Sequence, residues 1–115
     1  MKKNPAVFLK HILESIAWIE KDIKDFSEEA FDTNVPIQDA VVRRLEIIGE
    51  AVRNVPEDVK NEYPAVPWQD ISDMRNELIH HYFGVDLHTV WKVVQNDLSP
   101  FKKQIEDILK KLEEK

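Results

Sequence analysis

The chain has 115 residues, of which 43% are hydrophobic, and a formal net charge of −6 at pH 7. A chain of this length usually forms one domain around one core, so we expect a single domain over residues 1–115. The sequence contains no cysteine, which excludes disulfides and thiolate metal sites and favours a cytoplasmic location. The acidic balance argues against a broad nucleic-acid-binding surface, but it leaves room for a small cleft with local positive charge.

The N-terminal segment is too charged to enter a membrane. Lys10, His11, Glu14, Glu20 and Lys21 interrupt its apolar residues, so neither a signal segment nor a spanning helix is predicted there. We therefore expect a protein that is not inserted in a membrane.

Helical spacing of apolar residues runs through the whole chain. There are two glycines and no long alternation of apolar and polar residues, so the sequence predicts an all-α fold. A first helix is predicted over roughly residues 5–25 and a second over roughly residues 35–52, with a short turn over residues 27–31 between them. Their apolar stripes comprise Leu9, Ile12, Ile16, Ile19, Ile23 and Phe26 in the first helix and Ile37, Val41, Leu45, Ile48 and Val52 in the second.

Helices are also predicted for the second half. A short third helix begins near Pro56, and a fourth covers about residues 68–82, with Gly84 as a natural stop. Asp86 is predicted to cap the next helix, and Pro100 either starts a last helix or kinks this one. The apolar positions of these last segments are Leu87, Val90, Trp91, Val94 and Leu98, then Phe101, Ile105, Ile108 and Leu112.

The end of the fourth helix combines side chains that suffice, in principle, to cleave RNA. Arg75 offers a planar, permanently charged fork for phosphate oxygens, and a histidine such as His80 can act as acid and base near neutrality. Asn76 is placed to orient His80 or the phosphate by hydrogen bonding. The carboxylates lack the clustered spacing of a metal site, so no metal and no cofactor is predicted.

Periodicity separates two sides of this helix. At about 100° per residue, Ile71, Met74 and Leu78 fall on one side and are predicted to face the core, while Asn76 and His80 lie on another. A polar side is therefore left for chemistry.

Arg75 and His80 are not close neighbours on an ideal helix. They could converge on one phosphate because arginine is long, because the helix unwinds near Gly84, or because a second copy of the helix supplies one of them. The third option predicts a homodimer with a composite cleft, and the apolar Ile79 outside the core side favours such an interface.

Each of these residues also has a simpler interpretation. His80 taken alone is a solvated surface histidine, and Arg75 is the partner of Asp70, Glu77 or another neighbour in an ion pair. His81 projects nearer the core side, which favours packing or C-terminal capping over catalysis.

Two upstream positions indicate packing. Arg44 projects into the apolar arc of the second helix, where a charge is costly unless paired, so we predict an ion pair with Glu46, Glu50 or a carboxylate of another helix. Gly49 in mid-helix costs about 1 kcal/mol relative to alanine, which predicts the close approach of another helix.

Three blocks of sequence resemble the HepT-like toxins of the HEPN superfamily. They are residues 74–86, in which Arg75 is followed five residues later by His80 and then by Tyr82, together with residues 43–51 and 67–71. The resemblance covers roughly residues 5–112, and three blocks in the right order are far more specific than a single arginine–histidine spacing.

The resemblance implies an antiparallel bundle of four to five helices that dimerises through the motif-bearing helix. It implies a metal-independent endoribonuclease acting on RNA such as tRNA or mRNA, with Arg75 and His80 as catalytic residues and Asn76 in support. It also implies a type VII toxin–antitoxin partner, a minimal nucleotidyltransferase antitoxin that transfers AMP onto Tyr82.

A noncatalytic HEPN module that dimerises or binds a nucleotidyltransferase is the alternative. The intact Arg75, His80 and Tyr82 favour the enzyme, whereas the net charge of −6 favours the module.

Overall fold

A computed structural model describes residues 4–80 and 86–114, without the side chains of Ile79 and His80. The α-helices in these ranges are α1 (Pro5–Ile23), α2 (Glu28–Asp32), α3 (Val35–Asn54), α4 (Glu57–Glu62), α5 (Trp68–His80), α6 (Leu87–Lys92) and α7 (Leu98–Glu113). One π-helical turn, Val93–Asp97, separates α6 from α7, and no strand occurs in the described parts of the chain. The predicted all-α fold is confirmed.

Polar side chains set the helix starts that the sequence predicts. Asn4, Ser27 and Asn34 each accept a hydrogen bond from a backbone N–H in the first turn of α1, α2 and α3. Asp86 does the same for α6 through the N–H of His88, at 3.0 Å, as predicted. Such caps satisfy backbone donors that have no partner inside the helix.

Four long helices, α1, α3, α5 and α7, form an antiparallel bundle. Ion pairs join Lys10 to Glu113 and Glu20 to Lys102, so α1 and α7 run in opposite directions. The core contains most of the predicted stripe positions of α1, α3 and the C-terminal helices: Leu9, Ile12, Ile16, Ile19, Val41, Leu45, Ile48, Val52, Val90, Val94, Leu98, Phe101, Ile105 and Ile108 are all buried. The other predicted positions, Ile23, Phe26, Ile37, Leu87, Trp91 and Leu112, are partly buried. Leu78 of α5 is buried as well, with Ile71 and Met74 packed beside the core, so the predicted core face of this helix is confirmed.

One boundary differs slightly from the predicted one. Helix α1 ends at Ile23 rather than near residue 25, because Asp25 adopts a positive φ of 66° that no α-helix continues through. Phe26 therefore lies outside the helix and is only half-buried. Pro100 lies in the first turn of α7, as predicted for a residue that starts the last helix, and the π-helical turn Val93–Asp97 directly precedes that helix.

None of the described helices combines the length and the hydrophobicity that a membrane-spanning helix requires.

Candidate active site

Arg75 lies where α5 approaches α3 most closely. A β-carbon built on Gly49 would collide with the β-carbon of Arg75 and lie 3.3 Å from the carbonyl oxygen of Ile71. The prediction of a close helix approach at Gly49 is confirmed. Glycine at this point lets the backbone of α5 pack directly on α3, which fixes the position of the arginine.

The guanidinium of Arg75 is held by two side chains. Its Nε atom lies 2.9 Å from Oε2 of Glu50 in an ion pair, and its Nη1 donates to Oδ1 of Asn76 at 3.3 Å. Asn54 in turn donates from Nδ2 to Oε1 of Glu50 at 3.4 Å. The side chain of Arg75 is 21% exposed. Among the described residues, its Nε and Nη1 atoms have partners and its Nη2 atom has no hydrogen bond or ion pair.

A cleft of about 240 Å³ opens beside this network. Its walls come from α1, α3 and α5: Phe8, His11, Arg43, Glu46, Ile47, Glu50, Ala51, Asn54 and Arg75 line it. Arg43 is itself paired with Glu46 at 3.4 Å. The cleft therefore brings two arginines and an exposed histidine, His11, to one concave surface, with two carboxylates that offset the charge.

Helix α5 is α-helical as far as His80. Five residues of α-helix separate Arg75 from His80 by about 7.5 Å along the axis and about 140° around it. Helix α5 is not unwound between Arg75 and His80, so unwinding does not shorten the separation of these two residues. Tyr82 and His81 lie outside the described residues, as does the side chain of Ile79.

Two arginines have partners that the sequence did not identify. The simpler interpretation of Arg75 was an ion pair with Asp70, Glu77 or another neighbour, and the structure shows an ion pair with Glu50 of α3. Arg44 was expected to pair with Glu46, Glu50 or a carboxylate of another helix, but Glu46 and Glu50 bind Arg43 and Arg75, and no ion pair of Arg44 occurs among the described residues.

Arg44 lies instead over the ring of Trp18, with Cζ 5.4 Å from the ring centroid. Helix periodicity alone could not select these partners, because the choice depends on how α3 is rotated against α1 and α5.

Glu50, Asn54 and His11 are site residues that the sequence did not single out for this role. The adjacency of Gly49 and Glu50 is the signal that could have found the first, since a mid-helix glycine marks the closest helix approach and its neighbour then faces the crossing helix. Among the described residues, no three histidine or acidic side chains come together as a metal-binding group.

The described residues form an all-α bundle whose helix α5 carries both Arg75 and His80, which is consistent with the HEPN class of helical domains. The chain belongs to the family described as Ribonuclease HepT-like, whose model matches residues 12–108. A ribonuclease-type function is therefore shown at the level of the family.

Several curated relatives are similar to nearly the whole chain. "Putative RNase MJ0125" of Methanocaldococcus jannaschii is 43% identical over 99% of this chain and 98% of its own length. "Probable ribonuclease HepT" of Thermococcus cleftensis is 41% identical over 96% of this chain and its own full length. "Gamma-glutamylcyclotransferase and putative RNase MJ0434" of M. jannaschii is 45% identical over 98% of this chain, which spans only 51% of that protein. No solved structure matches the chain.

Proposed function

We propose that this protein is a metal-independent endoribonuclease that acts as the toxin of a type VII toxin–antitoxin pair in the cytoplasm. The observation that carries the proposal is the arrangement of Arg75 in its cleft. Glu50 and Asn76 orient the guanidinium, and in the proposed site its Nη2 group binds a phosphate oxygen. The names of the curated relatives, which include "Probable ribonuclease HepT", support the same substrate class.

In the proposed reaction, His80 moves protons and Arg75 stabilises charge. A neutral His80 removes the proton from a ribose 2′-OH, and the 2′-oxygen attacks the adjacent phosphorus. The bond from phosphorus to the 5′-oxygen breaks, and that oxygen takes up a proton from a protonated histidine. The products are a 2′,3′-cyclic phosphate and a 5′-OH end. Arg75 binds the oxygens on which negative charge grows.

A homodimer completes this site in our proposal. Arg75 and His80 are about 140° apart around α5, so one helix does not present both to one phosphate without a long reach by the arginine. Two copies of α5 facing each other would place the arginine of one protomer near the histidine of the other. They would also supply two histidines, one to act as base and one as acid. Sedimentation at micromolar concentration tests this arrangement, and a monomer with full activity would refute it.

Cleavage of a labelled RNA in EDTA is the main experiment. His80→Ala is expected to lower the rate by about 10²- to 10⁴-fold, the usual contribution of acid–base catalysis, while circular dichroism stays helical. His88→Ala is the matched control, because His88 lies on α6 and its Nδ1 is paired with Glu28 at 2.8 Å. Full activity of the His80 variant, or a wild type that needs added magnesium, would overturn the mechanism.

Control by a minimal nucleotidyltransferase antitoxin is the second part of the proposal. AMP on the hydroxyl of Tyr82 would add a phosphate and a base two residues beyond His80 and would compete with RNA for Arg75. The adduct would also raise the negative charge of an acidic protein, which weakens attraction for RNA phosphates.

Intact-mass spectrometry after incubation with the antitoxin, ATP and magnesium tests this control. The chain has two tyrosines, which provides a matched pair: Tyr82→Phe should escape modification and keep much of its activity, whereas Tyr63→Phe should still gain AMP. A mass increase that persists in Tyr82→Phe would assign the modification to another residue.

The net charge of −6 supports a second candidate, a noncatalytic module that binds a nucleotidyltransferase. A dimer that binds the partner but cleaves no RNA under any condition would favour this candidate.

A further inference from the structure

Trp18 differs from the other two tryptophans of the chain in its exposure. Trp68 is 7% exposed and its Nε1 donates to the carbonyl oxygen of Tyr63 at 3.0 Å. Trp91 packs on Phe31, with ring centroids 5.3 Å apart. Trp18 is 42% exposed. Single exposed apolar side chains are common on protein surfaces, so the exposure of Trp18 has meaning only together with the groups around it.

Two cations lie over the exposed ring of Trp18. Nζ of Lys21 lies 5.1 Å from its centroid, and Cζ of Arg44 lies 5.4 Å from it. Lys21 belongs to α1 and Arg44 to α3, so the ring lies at the seam between these helices. An aromatic ring with cations around it is the combination that binds single-stranded nucleic acid. A base that stacks on this ring takes the place of a flexible cation such as Lys21, which then contacts a phosphate.

The same seam leads to the Arg75 cleft. His11 of α1 lines that cleft, and Trp18 follows it by seven residues, which is about 10 Å along the helix on the same face. On α3, Arg44 beside Trp18 is followed by the cleft residues Ile47 and Glu50. A single RNA strand with one phosphate at Arg75 would therefore reach the ring within a few nucleotides.

We propose that Trp18, with Lys21 and Arg44, forms a stacking subsite for one base of a single-stranded RNA, a few nucleotides from the phosphate held at Arg75. This inference rests on the proposed ribonuclease function and assigns part of its substrate recognition. Glu14 and Asp22 lie one turn to either side of Trp18 on α1, so the affinity comes from stacking and local cation contacts rather than from a broad positive field.

Binding of a labelled oligoadenylate about ten nucleotides long tests the subsite, in a His80→Ala background that prevents cleavage. Trp18→Ala should weaken binding by about tenfold, which is 1.4 kcal/mol, and Trp18→Phe should retain most of the affinity. The matched control is Val35→Ala, since Val35 is 60% exposed and lies nine residues before Arg44 on α3. It should bind like its parent.

Salt dependence separates a contact from a structural effect. Lys21→Gln and Arg44→Gln should each reduce the slope of log K against log salt by about 0.7, the value for one phosphate contact on a single strand. The loss caused by Trp18→Ala should also depend on substrate length. KM should rise for the long oligonucleotide and much less for a dinucleotide, which is too short to span the seam.

Three results would overturn the subsite. The first is a Trp18→Ala variant that binds and cleaves RNA like the wild type. The second is unchanged salt slopes in both cation variants. The third is a shift of Trp18→Ala from dimer to monomer in sedimentation, which would assign the ring to an interface between copies. RNA cleavage by the wild type in any of these cases would leave the proposed function standing, whereas a wild type that neither binds nor cleaves RNA would remove both.

Discussion

The two ends of the seam between α1 and α3 differ in the partner that they provide for an arginine side chain. At the cleft end, Arg75 is mostly covered and its Nε is paired with Glu50 at 2.9 Å. At the other end, Arg44 lies over the ring of Trp18 at 5.4 Å. Pairing with a carboxylate fixes the direction of a guanidinium but offsets its charge, whereas an aromatic ring supports the cation and leaves its charge in place. The contacts at the first end therefore fix the orientation of the Arg75 guanidinium. The contact at the second end leaves the positive charge of Arg44 uncompensated on a protein that is acidic overall.

Removing the two arginines in turn gives the largest expected difference. Arg75→Ala should lower the rate of RNA cleavage by about 10²- to 10³-fold, as loss of one donor to a developing oxyanion does. Arg44→Ala should cost far less and should act mainly on KM. Single-turnover and steady-state cleavage assays separate the two effects. Equal losses in the two variants would mean that the ends of the seam do not differ in the way described.

A substitution at Gly49, where α3 and α5 are in closest contact, should have the next largest effect. Gly49→Ala should lower the free energy of unfolding by about 1–2 kcal/mol, because the added methyl collides with the β-carbon of Arg75. The better helix propensity of alanine offsets about 1 kcal/mol of the overpacking. Urea denaturation measures the change. A more stable variant would show that α5 does not lie this close to α3.

The ion pair itself should contribute less. Glu50 is 52% exposed and Arg75 is 21% exposed, so solvent screens much of their attraction. A double-mutant cycle of Glu50→Gln and Arg75→Gln should give a coupling energy of about 0.5–1 kcal/mol in urea denaturation. Raising the salt concentration should reduce it. A coupling near zero would mean that Glu50 does not hold the guanidinium.

Asp86 lies outside the seam and provides the smallest effect. The hydroxyl of Thr89 and the N–H of His88 donate to its carboxylate and lower its pKa below the ordinary value of 3.8. A lowered pKa contributes stability above pH 3.8 that is lost as the pH falls through the folded-state pKa. Asp86→Ala should therefore lower Tm at pH 7 by a small amount, and the gap to wild type should narrow in strong acid. An equal gap at both pH values would exclude the charged cap as its cause.

Local physical rules made much of this structure predictable from sequence. The spacing of Leu9, Ile12, Ile16 and Ile19 fixes which side of α1 is buried, because helical period alone decides it. Capping by Asp86 depends only on residues within the same turn. The motif blocks likewise identify the family without any coordinates.

Partners across helices were decided only by tertiary structure. The sequence places Glu50, Arg44 and Trp18 on their helices, but it does not specify the rotation of one helix against the next. That rotation follows from packing of the whole core. It brings Glu50 into an ion pair with Arg75 and places Trp18 under the guanidinium of Arg44. The sequence by itself determined the helices, the core face and the family. The tertiary structure decided which charges are paired, which tryptophan stays exposed, and that one seam joins the two, because those depend on contacts between residues far apart in the chain.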